Sequence, residues 1–205
     1  SEPQRRLEVE IGSGKGAFLL DHGESHPEIN LLGIEWAREF YLYTADRVRR
    51  RALSNVRVLH GDATELFHWR VPDSCVDVIH LYFSDPWPKS RHHKKRVVQD
   101  RFLADAWRVL RASDDGESGQ LRIVTDHPDY WTWIEEHVER WTTAAAWEAF
   151  DAQRAGGDDD HGPFARREFQ PVRSADSGEL VGTNFERKYR REGRPFYSCV
   201  LSKRD

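Results

Sequence analysis

Three glycines and two acidic residues near the start of the chain have types and spacing that suit ligand binding. Gly12, Gly14 and Gly16 form a Gly-x-Gly-x-Gly pattern, and Glu10 lies two residues before it. Glycines let a backbone turn tightly and approach a ligand closely. Glu35 lies about twenty residues further on, where a carboxylate can accept hydrogen bonds from the hydroxyl groups of a ribose. The pattern indicates a nucleoside site.

The spacing of the glycines argues against a dinucleotide as the ligand. The dinucleotide fingerprint is Gly-x-Gly-x-x-Gly, and here the third glycine comes one residue early. Glu10 would repel a pyrophosphate but suits a cation. S-adenosylmethionine has cationic sulfonium and ammonium groups and no phosphate. Glu10 near the cations, Glu35 on the ribose and Asp62 near the adenine amine would give each feature a partner, and N–H groups of the Gly14–Gly16 turn could hold its carboxylate. The simpler alternative is that these acids only terminate strands.

A second group of residues combines an acid with aromatic and basic side chains. Asp85 precedes Pro86 and Trp87, and a proline restricts the residue before it to extended backbone, which would hold the Asp85 carboxylate at a strand end. From Trp87 to Arg96 the chain has five Lys or Arg, two His and no acid. Such a mixture suits phosphate contacts and base stacking, the latter worth about 1–3 kcal/mol per base. A solvated charged face is the simpler alternative.

Metal-binding patterns are weak in this sequence. His92 and His93 are adjacent, so they point in different directions from a regular element and chelate poorly. Cys75 and Cys199 are the only cysteines, too few for a disulfide scaffold or a Cys-rich zinc site. We therefore predict no metal site and a location in the reducing cytoplasm.

The elements that must position these residues follow from hydrophobic periodicity. Short apolar runs predict strands over 7–12, 30–35, 56–59, 76–83 and 121–125, and longer periodic stretches predict helices over 17–26, 37–53, 98–111 and 129–142. Alternating strands and helices predict an α/β fold with a mostly parallel sheet and helices on both faces. Ligands bind beyond the carboxyl ends of such strands, so the acids should cluster there.

Composition excludes several classes of protein. The chain has 205 residues, which fits one domain over 1–205, and its formal net charge of −4 excludes a uniformly basic nucleic-acid coat protein. Aromatic residues make up 12%, too many for a disordered chain. No apolar run approaches the ~20 residues that a membrane span needs. Between about 151 and 182 the Gly-, Asp-, Ser- and Pro-rich sequence predicts a long flexible loop.

Taken in order, these motifs resemble those of bacterial tRNA (guanine-N7-)-methyltransferases, which are class I S-adenosylmethionine-dependent enzymes. The matching pieces are EIGSGKG (10–16), GIE (33–35), GDA (61–63), FSDPWPKSRHHKKR (83–96), TDHPDY (125–130) and GTNFERKYRREG (182–193). The glycine motif is shared by many methyltransferases, whereas the DPWPK segment and the T-x-FE-x-K pattern are more diagnostic.

The resemblance implies a Rossmann-like, mostly parallel seven-stranded sheet with an antiparallel last strand. It also implies methyl transfer from S-adenosylmethionine, without a metal, to N7 of guanosine 46 in the variable loop of tRNA, leaving S-adenosylhomocysteine. The expected partner is tRNA, with no membrane and no obligate partner subunit, and the chain is expected to be a monomer or homodimer.

Roles for individual residues follow from the same resemblance. Asp85 is expected to be catalytic. The expected cofactor-binding residues are Glu10, Gly12, Gly14, Gly16, Glu35, Asp62, Ala63 and Asp85. The expected substrate-binding residues are Lys89, Arg91, Asp126, Thr183, Asn184, Phe185 and Glu186. Further RNA contacts are expected at Trp87, Lys94, Lys95, Arg96, Lys188, Arg190 and Arg191. Two local alternatives stay open, because Asp126 could cap the helix that follows it and the segment from Thr183 could be an amphipathic helix cap.

Three other functions fit parts of the pattern. An S-adenosylmethionine-dependent enzyme could act on another nucleobase or on a small molecule. A non-catalytic RNA-binding module could retain the fold, although acids at all the matched positions argue against such decay. A dehydrogenase fits worst, because of the glycine spacing.

Overall fold

One sheet forms the centre of the structure, a computed structural model that describes residues 5–112, 118–150 and 161–204. Among these residues the sheet has seven strands in the order β3-β2-β1-β4-β5-β7-β6. The strands are β1 Leu7–Ile11, β2 Asn30–Glu35, β3 Val56–His60, β4 Val78–Tyr82, β5 Gln120–Thr125, β6 Phe164–Arg167 and β7 Tyr197–Lys203. Neighbouring strands from β3 to β5 are parallel, whereas β7 runs antiparallel to both β5 and β6. The predicted fold class is confirmed.

Helices connect the parallel strands, as the alternation of patterns predicts. The helices are α1 Ala17–Ser25, α2 Arg38–Arg50, α3 Ala63–Trp69, α4 Asp100–Val109, α5 Pro128–Trp141, α6 Ala145–Phe150 and α7 Asn184–Arg191, with a short 3-10 helix at Ser90–Lys95. No helix within the described ranges is both long enough and apolar enough to cross a lipid bilayer.

The sheet is buried between two apolar clusters. β4 is buried at all five positions, which explains its nearly continuous apolar sequence. Leu81 in β4 belongs to the larger cluster, together with Leu103 and Ile134 from helices α4 and α5. Tyr82 belongs to the other cluster with Phe18 from α1. Full burial of an apolar side chain of this size contributes about 1.5–3 kcal/mol, so the two clusters hold the strand ends in a fixed arrangement.

The predicted loop between 151 and 182 needs a correction, because it contains β6. This strand has only four residues, two of them exposed arginines, and it lies at the edge of the sheet. Short, charged edge strands are common because they discourage pairing with other chains, and they carry little periodic signal. The part of the predicted loop from 151 to 160 lies outside the described residues.

Five chain segments that carry the predicted site residues meet at one edge of the sheet. Because β1 to β5 are parallel, their carboxyl ends lie on the same side. The glycine turn follows β1, Glu35 ends β2, Asp62 follows β3, Asp85 follows β4 and Asp126 follows β5. The fold therefore gathers residues that are spread over more than half of the chain.

Candidate active site

The glycine turn after β1 has a backbone that favours glycine at three positions. Gly12, Gly14 and Gly16 have φ values of +74°, +52° and +70°, in the left-handed region that side chains disfavour. A Cβ atom on Gly16 would lie 2.4 Å from Cγ2 of Thr44, so α2 leaves no room there. A Cβ on Gly12 would meet nothing within 4 Å. The turn is thus closed by α2 on one side and open at Gly12.

Glu35 is tied to the same turn by hydrogen bonds. Its Oε2 accepts from the N–H of Gly14 and its Oε1 accepts from the N–H of Ala37, both at 2.7 Å. The N–H of Gly16 donates to the carbonyl of Ser13 at 2.8 Å. These N–H groups are therefore satisfied within the protein, so the expectation that the Gly14–Gly16 turn offers them to a ligand carboxylate does not hold for Gly14 and Gly16.

Glu10 has a carboxyl group in an unusual setting. The residue is 4% exposed, and burial, followed by the negative charge of Glu35, raises the pKa of its carboxyl group to about 8. Its Oε2 has no hydrogen-bond partner, and neither has Oγ of Ser13 in the adjoining turn. An unsatisfied buried polar group costs about 1–3 kcal/mol. Sequence reasoning did not single out Ser13, but together these two atoms indicate a place where a polar or cationic ligand belongs.

Asp62 begins α3 as its N-cap residue. Its Oδ1 accepts hydrogen bonds from the N–H of Thr64 at 2.8 Å, from the Thr64 hydroxyl at 2.6 Å and from the N–H of Glu65 at 3.5 Å. Ala63, the first helical residue, is buried. The simpler alternative that this acid has a structural role is therefore correct for Oδ1. The cap does not use Oδ2, which stays at the same strand edge as Glu35.

Asp85 lies in a strained segment after β4. Phe83 and Trp87 have φ values of +53° and +44°, although neither is a glycine. Each such residue costs about 1–3 kcal/mol and persists only where its surroundings enforce it, most often at functional sites. Asp85 is exposed, and its Oδ1 accepts a hydrogen bond from the N–H of Trp87 at 3.0 Å. The strained backbone on both sides of Asp85 keeps its exposed carboxylate at the edge of the sheet.

Arg96 helps to enforce this strain, and its predicted contact with RNA must be corrected. The residue is 3% exposed. Its Nε donates to the carbonyl of Pro86 at 2.9 Å, and its guanidinium lies 5.2 Å from the Tyr130 ring and 5.1 Å from the Trp133 ring. In the sequence Arg96 is one more cation in a basic run, and only the apolar residues at 97 and 98 hint at its burial.

The other cations of this segment stay accessible. Lys89, Arg91, Lys94 and Lys95 are exposed, and we call these four residues the rim cations. The ammonium group of Lys95 lies 4.6 Å from the centre of the half-buried Trp87 ring. The rim cations therefore form a positively charged surface beside Asp85, as the sequence predicts.

The segment that starts at Thr183 has mainly structural side chains. Oγ1 of Thr183 accepts from the N–H of Glu186 at 3.0 Å, which caps α7. Glu186 is fully buried, and its oxygens accept hydrogen bonds at 2.6–3.0 Å from three backbone N–H groups in residues 180–182 and from Arg190. Burial raises the pKa of Glu186, but the hydrogen bonds from Arg190 and the backbone outweigh it, so the pKa is lowered. The helix cap that the sequence left open as an alternative is therefore present, and a substrate role for Thr183 and Glu186 stays a prediction.

Other residues of α7 lie closer to the candidate site. Asn184 and Phe185 are exposed, and a ring atom of Phe185 lies 4.0 Å from the position that a Cβ on Gly14 would take. The ring of Tyr189 lies 6.0 Å from that of Phe83. The helix therefore joins the glycine turn to the Asp85 segment. Three predicted RNA contacts on this helix, Lys188, Arg190 and Arg191, are exposed. Arg190 pairs with Glu186, and Lys188 lies 3.9 Å from Glu192.

Asp126 pairs with an arginine that sequence reasoning did not single out. Its Oδ2 lies 2.8 Å from Nη1 of Arg194, whose guanidinium lies 4.2 Å from the Tyr189 ring. The N-cap of α5 is His127, whose ring accepts from the N–H of Tyr130 at 3.3 Å. Asp126 is therefore not the helix cap, and its carboxylate stays on the strand edge with the other acids.

Comparison with known proteins agrees with this arrangement. A family model described as "Putative methyltransferase" matches residues 4–199. A tRNA (guanine-N(7)-)-methyltransferase of Alkalilimnicola ehrlichii is 34% identical over 199 residues, which cover 96% of this chain and 72% of that protein. This chain belongs to the tRNA (guanine-N7-)-methyltransferase family. The relative of the same name from Rhodopirellula baltica is 34% identical over 203 residues, 97% of this chain and 66% of its own. The chain thus spans only about two thirds of the length of these family members.

Solved structures support the same fold at lower sequence identity. A SAM-dependent methyltransferase from Aquifex aeolicus has a TM-score of 0.54 at 14% identity, covering 98% of this chain and 85% of its own. The aminoglycoside resistance methyltransferase NpmB1 has a TM-score of 0.58 at 14% identity, covering 99% and 89%. At this identity the likeness establishes the class I methyltransferase fold for this family member.

Proposed function

We propose that this chain transfers a methyl group from S-adenosylmethionine to N7 of a guanine in tRNA, at position 46 of the variable loop. One observation carries the proposal. The buried carboxyl group of Glu10, whose Oε2 has no hydrogen-bond partner, lies at the same sheet edge as Glu35, Asp62 and the strained Asp85 segment. Membership in the tRNA (guanine-N7-)-methyltransferase family supports the choice of substrate.

The residues at the strand ends fit the methyl donor. Its cationic groups would satisfy the Glu10 oxygen that has no partner, and the open space at Gly12 leaves room for close approach to the backbone. Glu35 is oriented by its two backbone donors and keeps further lone pairs for ribose hydroxyls. Asp62 keeps Oδ2 for the adenine amine. The donor, when bound, supplies an electrophilic methyl group on a sulfonium.

Methyl transfer to guanine N7 does not require the protein to remove a proton. Guanine N7 already has a lone pair, so no general base has to deprotonate it. The nucleophile gains positive charge during the reaction, and carboxylates that face this charge stabilise it. Positioning of two reactants in line can supply about 7–11 kcal/mol of the barrier. Asp85 and Asp126 would face the developing charge or hold the N1–H and amino edge of the guanine.

The cations beside this edge would hold the RNA. The rim cations are exposed next to Asp85, and Lys188 and Arg191 are exposed on α7. Phosphate contacts by such side chains supply affinity and position the RNA without reading its sequence. Trp87, with Lys95 against its ring, offers a surface for stacking a base. Because the net charge of the chain is −4, the attraction of RNA phosphates comes from this local surface and not from the protein as a whole.

The decisive experiment is methyl transfer from labelled S-adenosylmethionine to an unmodified tRNA transcript, followed by nucleoside mapping. We expect 7-methylguanosine at position 46, and none in a transcript with adenosine at that position. Label in another nucleoside or in a small molecule would replace the proposed substrate. Tight tRNA binding without any transfer, and without heat on titration of the methyl donor, would instead identify an RNA-binding module.

A further inference from the structure

Glu8, His22 and His80 form a buried cluster that the proposed methyl transfer does not use. The three side chains come from β1, α1 and β4, and the residues are 7%, 7% and 2% exposed. Oε2 of Glu8 lies 3.0 Å from Nε2 of His22 and 2.8 Å from Nε2 of His80. One potential ligand atom from each residue lies within 4.8 Å of the other two. The fold thus concentrates three metal-binding side chains in its interior.

The donor set of this cluster suits a divalent transition-metal ion. Two imidazole nitrogens and one carboxylate oxygen form a known zinc-binding combination, with bonds of about 2.0–2.2 Å. Tetrahedral geometry at those lengths sets the donor atoms about 3.3–3.5 Å apart, and a water molecule would complete it as the fourth ligand. Because Glu8 lies 2.8–3.0 Å from each imidazole, small side-chain rotations that separate them by roughly half an ångström would admit an ion.

The outer nitrogens of both histidines contact hydroxyl groups. Nδ1 of His22 lies 3.0 Å from Oγ of Ser174, and Nδ1 of His80 lies 2.7 Å from the Tyr82 hydroxyl. A hydroxyl can donate or accept. Without an ion, each Nε2–H donates to Glu8 and each Nδ1 accepts from its hydroxyl. With an ion, each Nε2 binds the metal and each Nδ1–H donates to the same hydroxyl, which orients the ring. A backbone carbonyl in place of either hydroxyl could only accept a hydrogen bond, so it would suit the metal-bound arrangement alone.

We propose that Glu8, His22 and His80 bind one divalent transition-metal ion, with Zn²⁺ as the ion that the donor set fits. The ion would join β1, α1 and β4 in the interior. Through Ser174 it would also anchor the segment between β6 and α7, which carries the buried Val172 and Val181 against the sheet. Its role would be structural, and the proposal does not depend on the proposed methyl transfer.

The test begins with protein freed of metal by a chelator and checked by elemental analysis. Titration of this protein with Zn²⁺ in a calorimeter should show one equivalent bound and a higher melting temperature, and Co²⁺ should give the visible absorption of a tetrahedral site. The variants His22→Gln and His80→Gln should lose both signals. His26→Gln is the matched control, because its ring lies 4.4 Å from that of His22 but is not one of the three proposed ligands.

A milder variant keeps the test decisive if the histidine variants fail to fold. Ser174→Ala leaves all three ligands in place and removes one outer hydrogen bond, so Zn²⁺ affinity should fall by about tenfold or more. No saturable binding by the unmodified protein, or unchanged binding in the His22→Gln and His80→Gln variants, would overturn the proposal. Either result would leave the cluster as a hydrogen-bonded carboxylate between two imidazoles. Loss of the calorimetric and Co²⁺ signals in His26→Gln but not in the other two variants would place the metal site at the surface, and this result would also overturn the proposal.

Discussion

The acidic residues at the strand ends differ in what surrounds each carboxyl group. Glu35 and Asp62 accept hydrogen bonds from backbone N–H groups, so part of each carboxylate maintains the loop in which it lies. Glu10 is buried with one oxygen unpartnered, and Asp85 is exposed in a strained segment. Glu35 and Asp62 are therefore fixed in place before a ligand binds, whereas Glu10 and Asp85 still have carboxyl oxygens that a ligand can contact.

Replacement of Asp85 separates its charge from its turn geometry. We expect Asp85→Ala to lower the rate of methyl transfer about 10²–10³-fold, the usual effect of losing one electrostatic group at a reacting centre. Asp85→Asn keeps an acceptor for the N–H of Trp87. If the negative charge is what matters, this variant should lower the rate of methyl transfer as much as Asp85→Ala does. Single-turnover rates at saturating tRNA measure both. Turnover by Asp85→Ala within twofold of the unmodified protein would remove Asp85 from the catalytic role.

Replacement of Arg96 should lower stability much more than replacement of Lys95, although the two residues are neighbours with the same charge. Arg96→Ala removes a buried guanidinium between two aromatic rings and a hydrogen bond to Pro86, which should lower the free energy of unfolding by about 2–4 kcal/mol. Lys95→Ala, at an exposed position, should change it by less than about 0.5 kcal/mol. Urea denaturation of both variants is the measurement, and equal stabilities would contradict the buried role of Arg96.

Elements near the site depend on caps and contacts more than on propensity. Helix α7 has eight residues and a strongly charged sequence, too short to be stable alone. Thr183 caps its first turn, Glu186 holds the preceding turn, and Phe185 lies beside the glycine turn. The helix therefore owes its position to this cap, to this contact and to one buried carboxylate that satisfies three backbone donors.

Glu186 should make stability depend on acid pH. Its pKa is lowered in the folded protein, so its contribution is fully present above the pKa that it has when unfolded and is lost as pH falls through the folded pKa. Glu186→Gln should cost about 1.5–3 kcal/mol at pH 7, the range for hydrogen bonds to a charged group. The difference should shrink at low pH.

Denaturation at pH 7 and at pH 4 or below checks this expectation. Glu192→Gln is the control, because Glu192 is exposed and forms surface ion pairs with Lys188 and Arg194. Its effect should stay within about 0.5 kcal/mol at both pH values. A pH-independent loss in Glu186→Gln would mean that packing, not charge, accounts for the position.

At the scale of the whole molecule, a local positively charged surface lies on a protein whose net charge is negative. The chain is acidic overall, with a net charge of −4, yet the rim cations lie together beside Asp85. Attraction between exposed charges falls off over a Debye length of about 10 Å at 0.1 M salt. Binding of a polyanion should therefore depend on this surface and not on the average charge of the protein.

A triple variant of the rim cations should flatten the salt dependence of tRNA binding. Replacing Lys89, Lys94 and Lys95 by Ala removes up to three phosphate contacts, each worth about 0.7–0.9 in the slope of log K against log salt. Arg49→Gln with Arg50→Gln is the control, because both arginines pair with Asp46 on the outer part of α2. Filter binding at several salt concentrations measures the slopes. An unchanged slope in the triple variant would exclude this surface as the RNA interface.

Local pattern was enough to predict the five parallel strands, four of the helices, the glycine turn and the acids at the strand ends, whereas it gave neither β6 nor β7. Periodicity reports the elements directly, and parallel strands bring their carboxyl ends to one edge whatever the details of packing. The rim cations were also evident, since a run of like charge beside a strand end stays at the surface.

Long-range contacts were needed for the rest. Arg96 is buried because the Tyr130 and Trp133 rings, more than thirty positions further along the chain, pack against its guanidinium. Glu8 meets His80 across 72 positions, and His22 meets Ser174 across 152. A sequence pattern records what neighbours along the chain share, whereas burial and pairing of a polar group depend on which remote residues the fold brings to it.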